Sequence, residues 1–343
     1  MSTADVALRY HVTHEIGLGH AARALTLSHA LEEYGKVARH VVPEQAREIL
    51  INRGVPQHAI TTIESEEWEI LQCHNTHIIL DTLWRGNAPD TAHEIHQLKE
   101  KTHAHVTVID SMPPDHYACA KWQKEPDLLV TPYHRADAFR PAPIHSNWLF
   151  GSEYSLLGTE YQKLKATSKQ PESHHRILVC TGGSDSDSLS LRIVRSILSR
   201  TPKEDIEVDV VVGPLFPREL RDALSHIASS ENTIHLHWQP PSIAHLLHKA
   251  TLVAGRPGLI RYESACLGTP SIMLAANEHY RAYYELFNED GLAEIHFQAD
   301  PSGEFEFMRR LRSLIKAKPA QNHYAGKKVD GMGAQRLINA LLT

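Results

Sequence analysis

A histidine stands directly behind two glycines near the start of the chain, in Gly17-Leu18-Gly19-His20-Ala21-Ala22-Arg23. Dinucleotide-binding turns close on a third glycine and triphosphate-binding loops close on Lys-Ser/Thr. This turn closes on neither. An imidazole, with an ordinary pKa of ~6.5, suits proton transfer at neutral pH better than phosphate binding. Two more glycine-bearing turns follow, Thr181-Gly182-Gly183-Ser184-Asp185 and Ala254-Gly255-Arg256-Pro257-Gly258, the second leading into Glu263. Glycines there let backbone amides approach a ligand, and the next helix offers its positive end to an anion. One such turn answers equally to backbone geometry. Three of them, divided between two halves, point to a phosphate-bearing ligand.

These residues need strands and helices to place them. Short apolar runs alternate with helical stretches, the pattern of βα units on a parallel sheet. "DVALRYHV" reads as a first strand, and residues 20–34 as the helix after it. "HIILD" (77–81), "VTVID" (106–110) and "DLLVTPY" (127–133) read as buried strands. Asp81 and Asp110 close two of them, at the carboxyl ends where such sheets bind ligands, although either acid serves equally as a turn cap. Residues 159–175 are polar and read as a linker. A second series begins with "ILVCTGG" (177–183), "IEVDVVVG" (206–213), "TIHLHW" (233–238), "ATLVAG" (250–255) and "PSIML" (270–274), and ends in an amphipathic helix, "GMGAQRLINALL". The expected architecture is α/β, with two Rossmann-like domains, 1–158 and 176–343, facing a cleft.

Composition narrows the class. The chain has 343 residues, enough for two domains, and a formal charge of -6, which argues against a nucleic-acid or membrane-surface partner. No apolar run approaches the ~20 residues of a membrane span. The first residues lack a signal-peptide pattern, and the scattered Cys73, Cys119, Cys180 and Cys266 read as buried thiols, so a cytoplasmic location is expected. The 25 histidines invite a metal, yet the best local group, His93-Glu94-Ile95-His96, lacks the HExxH spacing. Neither metal nor cofactor is expected.

The order of motifs adds a resemblance. "RYHVTHEIGLGHAARALTLSHAL" resembles the GxGHxxR segment of the UDP-2,4-diacetamido-2,4,6-trideoxy-β-L-altropyranose hydrolases of pseudaminic acid biosynthesis. These are glycosyltransferase-B enzymes related to the MurG transferase. "LFGSEYSLLGTEY", "VCTGGSD", "RYESACLGTPSIML", "AANEH" and "VDGMGAQRL" are similar to later segments of that family, in order along most of the chain. The resemblance implies that His20 activates the attacking water or hydroxyl and that Asn277 contacts the sugar or the water. It implies substrate binding at Arg9, His11, Gly17, Gly19 and Asp81, and nucleotide binding at Gly182, Gly183, Ser184, Trp238, Gly258, Leu259 and Glu263, with Glu263 accepting from ribose hydroxyls. Arg23 supports the loop or pairs with a carboxylate. A uridine diphosphate leaving group needs its charge stabilised rather than the paired carboxylates of ordinary glycosidases.

The sequence departs from that pattern around the ligand. His11 replaces an acid, Leu259 and Ile260 replace Ser-Thr, Glu278 replaces Gln, and Leu83 stands where Tyr is common. Phosphate binding then rests on backbone groups, with Arg256 or Arg261. The implied activity is hydrolysis of a UDP-activated amino-deoxy sugar in nonulosonic acid biosynthesis. A glycosyltransferase using an amino-sugar or CMP-nonulosonate donor is the alternative, and a catalytically inactive nucleotide-sugar-binding protein is a third.

Overall fold

The computed structural model describes residues 6–12, 18–62, 77–81, 95–96, 98–100, 104–110, 112, 125–139, 147–167, 174–199, 206–317 and 328–342. The chain divides into two compact units, Met1–Gly158 with Gly331–Thr343, and Thr159–Asp330.

In the first unit, β1 (Val6–Tyr10) leads to α1 (Gly19–Glu33), β2 (Ala38–Val42), α2 (Arg47–Asn52), β3 (Ile60–Thr62), β4 (His77–Asp81), β5 (His105–Ile109), β6 (Leu128–Thr131) and β7 (Trp148–Phe150). The strands form one parallel sheet in the order β3-β2-β1-β4-β5-β6-β7. Side chains from both faces are buried, and for that reason β4 and β5 read as continuous apolar runs rather than alternating ones. Val6, Leu8 and Tyr10 pack with Leu27 and Leu31 of α1, while Ala7 joins Ile78, Leu80, Val106 and Val108 in a separate cluster. Strand order reverses between β1 and β4, where Tyr10 and Asp81 are register partners. Ligands of open parallel sheets bind at such a switch point, outside the carboxyl ends.

The second unit runs through α3 (Thr159–Lys165), β8 (His175–Cys180), α4 (Leu189–Leu198), β9 (Ile206–Val212), α5 (Arg218–Ser230), β10 (Ile234–Trp238), α6 (Ala244–Lys249), β11 (Leu252–Gly255), α7 (Ile260–Leu267), β12 (Ser271–Ala275), α8 (Arg281–Glu289), β13 (Glu294–Phe297) and α9 (Gly303–Lys316). Its sheet is also parallel, in the order β10-β9-β8-β11-β12-β13, with the switch between β8 and β11. Ile177, Val179, Val208 and Val210 pack with Ile193 and Ile197 of α4 and with Phe307 and Leu311 of α9. Gly268, in the left-handed region at φ 65°, stops α7 ahead of Pro270.

Two boundaries differ from the sequence reading. Part of the expected linker is α3, whose Tyr161 is buried; a polar average over 159–175 hides one aromatic anchor. The last helix, α10 (Gly333–Leu342), belongs to the first unit and not to the second. Its Ala334, Leu337, Ile338 and Leu341 join the core of α1, Tyr34 Oη donates to Asn339 Oδ1 at 2.6 Å, and Arg336 Nη1 donates to the Glu153 carbonyl at 2.7 Å. Gly333 is required there, since a Cβ would lie 2.2 Å from the Ser155 carbonyl oxygen. Among the described residues no helix is long and apolar enough to cross a membrane.

Candidate active site

The β1–β4 switch point of the first unit holds a buried polar cluster. His20, on the first turn of α1, places Nδ1 2.8 Å from Asp81 Oδ1 at the end of β4. One helical turn on, Arg23 donates from Nε to Asp81 Oδ2 at 2.8 Å and from Nη2 to Oδ1 at 2.7 Å, a bidentate fork. Its Nη2 also lies 3.0 Å from His20 Nδ1. All three side chains are buried. Burial alone would raise the Asp81 pKa; the charges of Arg23 and then His20, with their hydrogen bonds, outweigh it and hold the carboxyl well below its usual range. An ionised carboxylate only accepts, so the neutral imidazole carries its hydrogen on Nδ1 and its lone pair on Nε2. Arg23 Nη2, which only donates, is then a neighbour of Nδ1 and not its hydrogen-bond partner.

His11 follows β1 into the same cluster, its Nε2 3.4 Å from Arg9 Nη2. Burial first, then the Arg9 and His20 charges, push His11 down to about 4 against a smaller pull from Asp81. The residue that replaces an acid is therefore a neutral ring at physiological pH. Arg9 also donates from Nη1 to the Tyr10 carbonyl at 3.1 Å. Asp81, expected to meet substrate, instead has both oxygens committed to His20 and Arg23. Gly19 opens α1 with an ordinary φ, and a Cβ there would meet nothing within 4 Å. Gly17 lies outside the described residues, as do His14, Leu83, the His93-Glu94 pair, Cys73 and Cys119.

The second unit's switch point holds the other two glycine turns. Gly182 has φ 97° and so needs to be glycine. Gly255 is required by close approach, since a Cβ would lie 1.8 Å from the Cys180 carbonyl oxygen. The Gly182-Gly183-Ser184 turn leads to α4, whose first amides are already occupied. Asp185 accepts from Leu189 N at 3.0 Å, Ser190 N at 2.9 Å and Ser190 Oγ at 2.6 Å. This α4 end, expected to stabilise a departing anion, is capped from within the chain. The Gly258 turn has no such side-chain cap: Leu259 precedes α7 with none.

No protein-family model matches the chain. An uncharacterized protein of Methanocaldococcus jannaschii is 24% identical over 294 residues, 79% of this chain and 55% of that protein. The spore coat polysaccharide biosynthesis protein SpsG of Bacillus subtilis is 24% identical over 195 residues, 56% of this chain and 57% of its own length. The chain thus spans a little over half the length of these curated relatives. Solved structures align along nearly all of it. MurG of Acinetobacter baumannii gives a TM-score of 0.58 at 12% identity, over 98% of this chain and 99% of that one. The spinosyn rhamnosyltransferase SpnG, complexed with thymidine diphosphate, gives 0.62 at 13% identity over 98% and 100%. UDP-GlcNAc 2-epimerase of Neisseria meningitidis, bound to UDP-GlcNAc, gives 0.57 at 13% identity over 98% and 99%. The chain has the glycosyltransferase-B fold.

Within the second unit of this fold, Glu263 sits on α7, and Tyr161 Oη of α3 donates to its Oε1 at 2.6 Å. Burial pushes the Glu263 carboxyl up to about 7, the Tyr161 hydrogen bond lowers it, and Glu160 raises it again. Sequence reasoning missed Tyr161; an aromatic residue at the centre of a polar stretch was the available signal. Burial also pushes the Cys180 thiol up to about 12, which leaves it inert beside the Gly182 turn. Arg256 is held by Asp187 and by the Leu274 carbonyl at 2.8 Å. Trp238 is 49% exposed at the carboxyl end of β10. Asn277, expected to contact sugar or water, uses its Oδ1 to accept from His279 N at 2.9 Å, capping a short turn.

Proposed function

We propose that the chain is a nucleotide-sugar hydrolase that cleaves the anomeric C–O bond of a UDP-activated amino-deoxy sugar, as in nonulosonic acid biosynthesis. The observation that carries this reading is the His20–Asp81 pair at the β1–β4 switch point. Asp81, clamped by Arg23, fixes the imidazole so that Nε2 accepts a proton from water. The water oxygen bonds to the anomeric carbon as the bond from that carbon to the diphosphate oxygen breaks. The electron pair leaves on the diphosphate and the configuration inverts. Asp81 is thus a positioning residue, not a substrate ligand. The Gly258 turn receives the diphosphate, Glu263 the ribose and Trp238 the base. Transfer to an acceptor is the second reading: the rhamnosyltransferase SpnG among the structural neighbours favours an acceptor hydroxyl in place of water.

Incubation with UDP-sugars and CMP-nonulosonates without an acceptor separates the two. Release of free sugar and UDP supports the hydrolase. Release that begins only when a hydroxyl acceptor is added overturns it in favour of the transferase.

A further inference from the structure

Arg261 is a cation built into the interior of the second unit, 3% exposed. Its Nη1 donates to the carbonyls of Pro257 at 2.8 Å and Gly258 at 2.7 Å. The rings of Tyr262, Tyr283, Tyr284 and Phe287 surround it, their centroids 4.8, 5.6, 5.5 and 5.2 Å from Cζ. Tyr283 hydrogen-bonds both the guanidinium and the Tyr262 hydroxyl, and Tyr284 Oη donates to the Pro257 carbonyl at 3.4 Å. Desolvating a guanidinium is costly unless dipoles and ring faces replace its water. Here both are supplied, by the turn itself and by α7 and α8.

Two consecutive carbonyls drawn to one buried cation fix the plane of the turn. Arg261 N and Tyr262 N donate to the Gly258 and Leu259 carbonyls at 3.3 and 2.8 Å, whereas the Leu259 and Ile260 amides ahead of them have no acceptor within the turn, and Leu259 gives them no side-chain cap. The other glycine turn of this unit leads to a helix end filled by the Asp185 carboxylate. We propose that Arg261 is the positioning residue of a diphosphate-binding turn, holding Pro257 and Gly258 so that the Leu259 and Ile260 amides receive the anion. Arg261 does not touch the ligand; it acts through the turn and places a fixed positive charge behind it. This deepens the nucleotide-sugar reading above and rests on it.

The test is calorimetric titration of wild type, Arg261→Met and Arg261→Lys with UDP and with uridine, alongside thermal unfolding. Wild type should bind UDP more tightly than uridine. Arg261→Met should lose about 10- to 100-fold in UDP affinity with uridine affinity unchanged, the loss expected for hydrogen bonds to a charged group. Arg261→Lys should fall between, because an ammonium lacks the planar fork. A purely structural arginine would lower the melting temperature, or both affinities together, and leave their ratio intact; that result overturns the inference. If the methionine variant does not fold, the ratio in Arg261→Lys decides, and a wild-type ratio there also overturns it. Wild type that gains nothing from the diphosphate defeats the nucleotide-sugar reading itself, and the inference falls with it.

Discussion

His20 Nδ1 and Asp81 Oδ1 lie 2.8 Å apart although 61 residues separate them in sequence, because β1 and β4 are neighbours in the sheet. The pair gives the imidazole one tautomer. Asp81→Asn presents an amide to both His20 and Arg23, whose guanidinium can only donate. Turnover of the UDP-sugar should fall by about 10²- to 10⁴-fold with UDP affinity retained. His20→Ala should abolish turnover with the same sparing of affinity. Steady-state kinetics and UDP titration check both; a variant that loses nucleotide affinity in step with turnover refutes the assignment.

The same carboxylate ties stability to pH. Its folded pKa lies below the ordinary 3.8, with the Arg23 and His20 charges outweighing burial. Falling pH therefore protonates the unfolded chain first. The stabilisation is present above about pH 4 and is lost as pH falls towards the folded value. Thermal unfolding from pH 6 to 3 should show a steep decline in wild type and a shallower one in Asp81→Asn. Equal slopes would mean that the acid transition belongs to other groups.

Glu263 has the opposite sign. Burial raises it from 4.5 to about 7, above Tyr161's lowering effect. Its stabilising contribution is present below pH 4.5 and is lost as pH rises to about 7, where the buried group ionises. If ribose hydroxyls donate to the carboxylate, uridine affinity should rise between pH 6 and 8. Uridine is the probe because it carries no phosphate to titrate. Glu263→Gln should flatten the profile, and Tyr161→Phe, which removes a donor to the charged form, should move its midpoint upward. A flat wild-type profile removes Glu263 from the ribose site.

Much of this was legible in the chain. The "HIILD" and "VTVID" runs marked buried parallel strands, and the Gly182 and Gly258 turns marked the carboxyl ends of β8 and β11, because period and turn chemistry are local. Partnership is not local. Asp81 reads identically as a substrate ligand and as an imidazole partner until β4 is placed beside β1. The amphipathic face of "GAQRLINALL" says that it is buried, not on which unit. Arg261 reads in sequence as a phosphate-binding arginine, and only the packing of α8 beside α7 shows its guanidinium turned inward to the Pro257 and Gly258 carbonyls.

The α10 helix offers a direct check on that last placement. Leu337 is fully buried in the core shared with Leu27 and Leu31 of α1. Leu337→Ala should destabilise the first unit by about 2–5 kcal/mol through lost burial and the cavity left behind. Amide exchange should quicken in α1 and β1 while α4 and β8 keep their protection. Loosening confined to the second unit would return the helix there.

Trp238 supplies the remaining contact to test. It stands at the end of β10, in register with Val212 of β9, and β9 lies between it and β8. Two strand spacings put the backbone of this end roughly 10 Å from that of the Gly182 turn's strand. The residue is 49% exposed although large aromatic residues are ordinarily well buried. A flat exposed ring suits a pyrimidine base, and stacking of this kind is worth ~1–3 kcal/mol. Trp238→Ala should weaken uridine and UDP by the same factor, because the loss falls on the base and not on the phosphates. The quenching of tryptophan fluorescence by uridine should disappear in the variant. Unchanged affinity with the quench intact would exclude Trp238 as the base platform, and base binding would then have to come from another element.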